Sequence, residues 1–132
     1  SAMLKKKGFT LVELMVVVLI VGILAAVAIP ILRGRIDSAK WSEGKAMAGS
    51  IATAIRSYHG EKGPDGTTPT TLANLGFASG DLTGTYFADA NFSYSVTSMD
   101  PLTYTITVTA PAGINSPSQI VLNQAGTWTE IP

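Results

Sequence analysis

The sequence predicts an α+β protein in which a long N-terminal α-helix packs on a small antiparallel sheet of about four strands. Its first half holds a run without charged residues, Leu14 to Leu32. Its second half has an apolar stripe at steps of three and four, which is Met47, Ile51, Ala54, Ile55 and Tyr58. The residues after position 91 instead alternate apolar and polar side chains, which is the period of a half-buried strand. A chain of 132 residues has room for one modest globular domain beside such a helix.

The apolar run is long enough to cross a membrane. At about 1.5 Å per residue, the nineteen residues from Leu14 to Leu32 span roughly 30 Å, the thickness of a bilayer's hydrocarbon core. A secretory signal peptide has a shorter apolar region of about 7 to 15 residues and a small-residue cleavage site, which Pro30 to Arg33 do not resemble. Three lysines at positions 5–7 predict a cytoplasmic N-terminus and a translocated C-terminal part.

These signals divide the chain into a basic N-terminal segment, called the leader below, a transmembrane helix, an amphipathic continuation of that helix and a globular head. The four segments are residues 1–8, 9–32, 33–59 and 60–132. Ser1 and Ala2 have the character of an expression remnant, so we expect the natural leader to start at Met3. Glycines and a proline within residues 60–64 are the signal that ends the helix.

Pro30 predicts a kink inside the long helix. It has no amide hydrogen, and its ring clashes with the carbonyl of Ala26. Gly22 adds flexibility on the N-terminal side of this position. A kink is therefore expected between Gly22 and Pro30.

The head should contain a loop over residues 60–90 and four antiparallel strands over residues 91–132. Within the loop, residues 68–76 have the start and stop signals of a short helical turn. The predicted strands are residues 91–98, 102–110, 119–123 and 127–131. Their apolar face should pack on the apolar stripe of the helix.

Charge and composition exclude several functions. Nine basic residues balance nine acidic ones, but from residue 57 onward only Lys62 opposes six carboxylates. An acidic head of this kind does not bind nucleic acid, because phosphate contacts need clustered cations. The chain has no cysteine, which excludes disulfides and thiolate metal sites.

The residues give no indication of catalysis or of a cofactor. His59 is the single histidine, it lies at a predicted helix end, and no nucleophile motif accompanies it. Asp81, Asp89 and Asp100 are oxygen ligands of the kind that calcium uses, but their spacing matches no calcium loop. We therefore expect solvated loop aspartates, no metal site and no enzymatic activity.

Glu13 is the one carboxylate at the start of the apolar helix. A glutamate in the first helical turn is favoured by about 0.3 to 1 kcal/mol through the helix dipole, which is a sufficient local explanation. Its neighbours add a second explanation, because a basic leader is followed by Gly8, Phe9 and then Thr-Leu-Val-Glu. This arrangement resembles the class III signal of type IV pilins and type II secretion pseudopilins. The resemblance extends from the lysines to about Tyr58.

The resemblance implies processing and assembly. A prepilin peptidase of the membrane would cut between Gly8 and Phe9 and methylate the new amino group of Phe9. The expected partners are that peptidase, an inner-membrane assembly platform, the lipid bilayer and other copies of the chain in a homo-oligomeric filament. The protein would lie in the bacterial inner membrane and then in a surface or periplasmic filament. The segment from Gly22 to Pro30 would stretch as subunits pack.

The resemblance also gives Glu13 a partner, the positive amine of Phe9 on a neighbouring subunit. At about 4 Å and an effective dielectric of about 20, such a pair attracts by roughly 4 kcal/mol before desolvation. The chain departs from the family pattern because it has no cysteine and so lacks the C-terminal disulfide. Packing of Trp128 is expected to stabilise the C-terminal region in part instead. Three interpretations stay open: a pilus subunit, a major or minor secretion pseudopilin, or a singly anchored binding protein that does not polymerise.

Overall fold

The computed structural model describes residues 8–132, so the lysines at positions 5–7 and most of the predicted leader lie outside the described residues. One α-helix, α1, runs over Leu11–Lys62. It begins two residues later and ends three residues later than the sequence predicted. The chain divides into two compact units, one ending at Arg35 and the other running from Ile36 to Pro132.

The second unit contains a four-stranded antiparallel sheet whose strands follow one another in the order of the chain. The strands are β1 (Phe92–Met99), β2 (Leu102–Thr109), β3 (Gln119–Asn123) and β4 (Trp128–Ile131). The predicted α+β class and the four strands are confirmed. Side chains of alternating burial fix the buried face of β1, β2 and β3, whereas every residue of β4, including Trp128, is exposed.

The core of the second unit lies between the sheet and the C-terminal half of α1. From the sheet, Tyr104, Ile106 and Val108 of β2 are almost fully buried, and residues of β1 and β3 flank them.

From the helix, Ile51 and Ile55 are buried as the periodicity predicted. The other buried helix positions are Trp41, Gly44, Ala48 and Ala52, whereas the predicted Met47, Ala54 and Tyr58 are only partly buried. Small residues at the contact let the helix approach its neighbours closely.

Residues 63–91 connect the helix to β1 and include two short 3-10 turns, Leu72–Leu75 and Asp89–Asn91. The first lies inside the predicted helical turn and is closed by a capping box between Thr71 and Asn74. Tyr94 of β1 ties this turn to the sheet, since its O–H donates to the carbonyl oxygen of Thr71 at 2.6 Å. Burial, with a smaller contribution from Tyr58, raises the pKa of Tyr94 to about 12.

Candidate functional site at the start of the helix

The predicted cleavage site lies just before α1. Gly8, Phe9 and Thr10 have no regular secondary structure, and the Phe9 side chain is 90% exposed. Nothing in the described chain comes within 4 Å of a Cβ placed on Gly8. The peptide bond between Gly8 and Phe9 is therefore not shielded by residues 8–132.

Glu13 forms a capping box with Thr10. The main-chain N–H of Thr10 donates to Oε2 of Glu13 at 3.2 Å, and the N–H of Glu13 donates to Oγ1 of Thr10 at 3.1 Å. Two of the amide groups that the first turn of a helix leaves without partners are satisfied in this way. The pattern Thr-x-x-Glu was present in the sequence and could have predicted the box.

The capping box also places the Glu13 carboxylate within hydrogen-bonding distance of the residue that follows Phe9. Phe9, Val12, Glu13, Val16 and Val17 line one shallow, open groove on the helix surface. Glu13 is exposed and forms no ion pair within residues 8–132. One carboxylate oxygen caps the helix, and the group retains further acceptor capacity for a cation.

The first half of α1 presents apolar side chains on every side. Large apolar residues from Leu11 to Leu32 are about half exposed or more, and no part of residues 8–132 buries them. By length and mean hydropathy, 3.1 over its most apolar window, this helix could cross a membrane. Such a surface needs an apolar environment supplied from outside the chain.

The two predicted kink residues lie within helix. The α-helical assignment continues through Gly22 and Pro30, and nothing lies within 4 Å of a Cβ placed on Gly22. A change of helix direction between them stays a prediction.

The remaining polar residues that the sequence singled out have structural contacts. Nε2 of His59 donates to the carbonyl oxygen of Met99 at 2.8 Å. Asp89 accepts bonds from the N–H groups of Gly80 and Leu82 and thereby holds the loop. Among residues 8–132, no three His, Cys, Asp or Glu side chains form a group that could hold a metal ion.

Glu43 connects the helix to a loop of the head, a role that the sequence did not indicate. Its carboxylate accepts three main-chain N–H bonds, from Phe87 and Tyr86 at 3.0 Å and from Thr85 at 3.2 Å. The bonds from Phe87 and Tyr86 lower the pKa of Glu43 most, the bond from Thr85 adds to this, and partial desolvation opposes it. Glu43 thus fixes residues 85–87 against the helix.

We expect Glu43→Gln to destabilise the head at neutral pH and to speed amide exchange at residues 85–87. Because the pKa of Glu43 is lowered in the folded state, the stabilisation is full above the ordinary glutamate pKa. It is lost as the pH falls through the lowered folded value, so wild type and variant should converge in acid. Urea unfolding over a pH series measures this. Glu61→Gln is the matched control. The Glu61 side chain is exposed, and its one ion pair, with Nζ of Lys62, is long at 3.9 Å. The stability of this variant should therefore show no such convergence with that of the wild type.

Comparison with known proteins finds a family model that matches the N-terminal segment. The family model for the prokaryotic N-terminal methylation motif matches residues 3–29. This range contains Gly8, Phe9 and Glu13. No solved structure matches the chain significantly.

Several curated proteins are similar over the same segment and beyond. The fimbrial protein EcpC of Eikenella corrodens is 44% identical over 58 residues, which is 44% of this chain and 38% of that protein. The type IV major fimbrial protein FimA of Dichelobacter nodosus is 43% identical over 77 residues, 57% of this chain and 49% of its own length. The type II secretion system core protein G of Pseudomonas aeruginosa is 46% identical over 54 residues, 41% of this chain and 38% of that protein.

The matched segment thus covers less than half of each of these three relatives. These matches cover 41 to 57% of this chain, and the α+β head is established by the structure. The N-terminal segment of this chain carries the prokaryotic N-terminal methylation motif and is similar to that of type IV fimbrial proteins and of a type II secretion system core protein G.

Proposed function

We propose that the chain is the structural subunit of a type IV pilus-like filament and that it has no reaction of its own. It is made as an inner-membrane prepilin, cleaved after Gly8, methylated on the amino group of Phe9 and polymerised through its N-terminal helix. The observation that carries the proposal is the helix surface from Leu11 to Leu32, which is apolar on all sides and exposed. Lipid covers this surface first, and the helices of other copies cover it in the filament.

Glu13 supports the same proposal because of where it lies. Its Oε2 is hydrogen-bonded to the N–H of Thr10, one residue from the amino group that cleavage would create at Phe9. In the filament, the carboxylate pairs with the amine of Phe9 on a neighbouring copy. A buried charge without a partner is costly, so the pair would penalise subunits that dock out of register.

A second candidate is a pseudopilin of a type II secretion system. The similarity to the Pseudomonas aeruginosa core protein G, 46% identical over 54 residues, favours it. Electron microscopy of filaments sheared from the cell surface and tested for this chain distinguishes the two. Long, abundant surface filaments indicate a pilus subunit, and a filament confined to the periplasm indicates a pseudopilin.

A third candidate, from another class, is a singly anchored extracytoplasmic binding protein that does not polymerise. It uses the same helix as a permanent anchor and keeps its leader.

The state of the N-terminus tests the proposal directly. Mass spectrometry of the protein from its native source should find a mature chain that starts at Phe9 and carries one methyl group on its amine. Glycine at the cleavage position leaves the scissile bond open, so Gly8→Val should retain the leader. An intact leader in the wild-type protein would rule out processing and favour the permanently anchored binding protein.

A further inference from the structure

Two arginines end the apolar surface of the helix. Arg33 and Arg35 directly follow the charge-free run and are the first charged residues after Glu13. Both are exposed and helical. Neither side chain has a hydrogen-bond or ion-pair partner within residues 8–132. The helix therefore carries two uncompensated guanidinium groups at the end of its membrane-length segment.

The next carboxylate along the chain, that of Asp37, forms no ion pair with either arginine. Oδ2 of Asp37 accepts a bond from the main-chain N–H of Asn115, at 3.3 Å. This contact lies within the second unit, where it ties a loop to the helix. Within residues 8–132 neither arginine is in an ion pair, so both guanidinium groups are open to an anion from outside the chain.

The position of Arg33 and Arg35 points to the headgroup layer of a membrane. The run from Leu14 to Leu32 is as long as a hydrocarbon core is thick, so a helix that spans the bilayer places both arginines at the interface next to the head. Cations are usually scarce in the translocated flank of a span, because the positive-inside rule disfavours them there. An anion at that depth would favour two cations on this flank.

Phospholipid phosphates are the anions available at this level. A guanidinium group matches a phosphate with two parallel N–H bonds, and its long apolar stem allows the charge to reach the interface. Successive helical residues turn by about 100°, so Arg33 and Arg35 project about 200° apart and reach different lipids. Two contacts on opposite sides of one helix would fix its depth in the membrane.

We propose that Arg33 and Arg35 each bind the phosphate of a phospholipid in the leaflet next to the head. The proposal rests on the membrane-spanning, head-outward prepilin of the proposed function. It adds a lipid contact that holds the subunit at a defined depth before assembly. The contact must be released when the helix leaves the bilayer.

Solid-state NMR can test the contact on the intact chain. The protein contains three arginines, at positions 33, 35 and 56, so labelling arginine with carbon-13 at Cζ introduces three signals. Arg56 is an internal control, because its Nη1 donates to the hydroxyl of Tyr104 in the head at 3.1 Å. The variants Arg33→Lys and Arg35→Lys assign the signals. The sample is the full chain in vesicles of phosphatidylethanolamine with phosphatidylglycerol as the minor lipid.

Carbon–phosphorus dipolar dephasing should be strong for Arg33 and Arg35 and absent for Arg56. Two N–O contacts of about 2.8 Å place the phosphorus on the order of 4 Å from Cζ. No dephasing at either arginine, in protein that floats with the vesicles, would overturn the proposal while leaving the membrane span intact. Protein that does not float with the vesicles would contradict both the proposal and the membrane anchor.

A second sample distinguishes lipid from free phosphate. The same labelled chain in dodecyl maltoside with inorganic phosphate should show no dephasing, because the phosphate is then not held at the level of the arginines. Equal dephasing in that sample would mean that the arginines bind phosphate without a membrane, and the lipid proposal would be wrong.

Discussion

Glu13→Ala subunits are expected to form at least about 100-fold less filament than wild-type subunits in the proposed assembly. Removing one member of a buried charge pair leaves the other charge without compensation, which costs about 3 to 5 kcal/mol. Each 1.4 kcal/mol is about a factor of ten in an equilibrium constant, so even the lower figure exceeds 100-fold. Sheared and pelleted filament, normalised to the subunit in the membrane, measures the effect.

The capping box makes a control necessary, because Glu13→Ala also removes a helix cap. Thr10→Ala removes the hydroxyl that caps the N–H of Glu13 but leaves the carboxylate in place. Loss of a cap costs about 1 kcal/mol of helix stability. We therefore expect Thr10→Ala to assemble nearly as well as wild type. Equal defects in both variants would mean that Glu13 acts by capping the helix and not by pairing with an amine.

Glu13→Gln separates charge from shape in the same assay. Glutamine keeps an oxygen that can accept the N–H of Thr10, so the helix start survives. It cannot neutralise an amine. A defect close to that of Glu13→Ala is expected, and wild-type assembly by Glu13→Gln would contradict the ion pair.

The helix and the four strands could be predicted from the sequence because each is specified by a local signal. Steps of three and four residues mark the second half of α1, and alternation marks β1 and β2. The strands β3 and β4 were predicted as a hairpin from the turn residues 124–126 between them. The buried stripe of the helix was predicted less well, since Gly44, Ala48 and Ala52 are buried while larger apolar neighbours are only partly so. A search for large apolar residues does not detect a contact made by small ones.

The contacts of Glu43 could not be predicted for a different reason. Its three hydrogen-bond donors lie 42 to 44 residues further along the chain, in a loop without hydrophobic periodicity. Only the folded loop brings those N–H groups to one carboxylate. By contrast, the box between Thr10 and Glu13 is local, and its spacing alone was sufficient to indicate it.

Phe87→Ala is expected to destabilise the head by about 3 to 5 kcal/mol, the usual cost of removing a fully buried phenylalanine. The Phe87 side chain is 1% exposed, and its ring lies 5.1 Å from that of Trp41 and 5.9 Å from that of Phe92, between ring centroids. The loss would be a large part of the about 5 to 15 kcal/mol that stabilises a typical domain. Urea unfolding of the full chain in detergent, followed by near-ultraviolet circular dichroism, measures it.

The Phe87 ring also explains why position 44 is glycine. A Cβ on Gly44 would lie 2.8 Å from Cζ of Phe87, whereas nothing lies within 4 Å of a Cβ on Gly49 in the same helix. Gly49→Ala should therefore stabilise the protein by up to about 1 kcal/mol through helix propensity. Gly44→Ala should lose that gain to an overpacking cost of about 1 to 3 kcal/mol.

The effects of Gly44→Ala and Phe87→Ala on stability should be coupled. In a Phe87→Ala background the ring is gone, so Gly44→Ala should stabilise the head as Gly49→Ala does. Residues in direct contact show such interaction energies, and distant ones add independently. If Gly44→Ala had the same effect with and without the Phe87 ring, close approach of the ring would not be what requires a glycine.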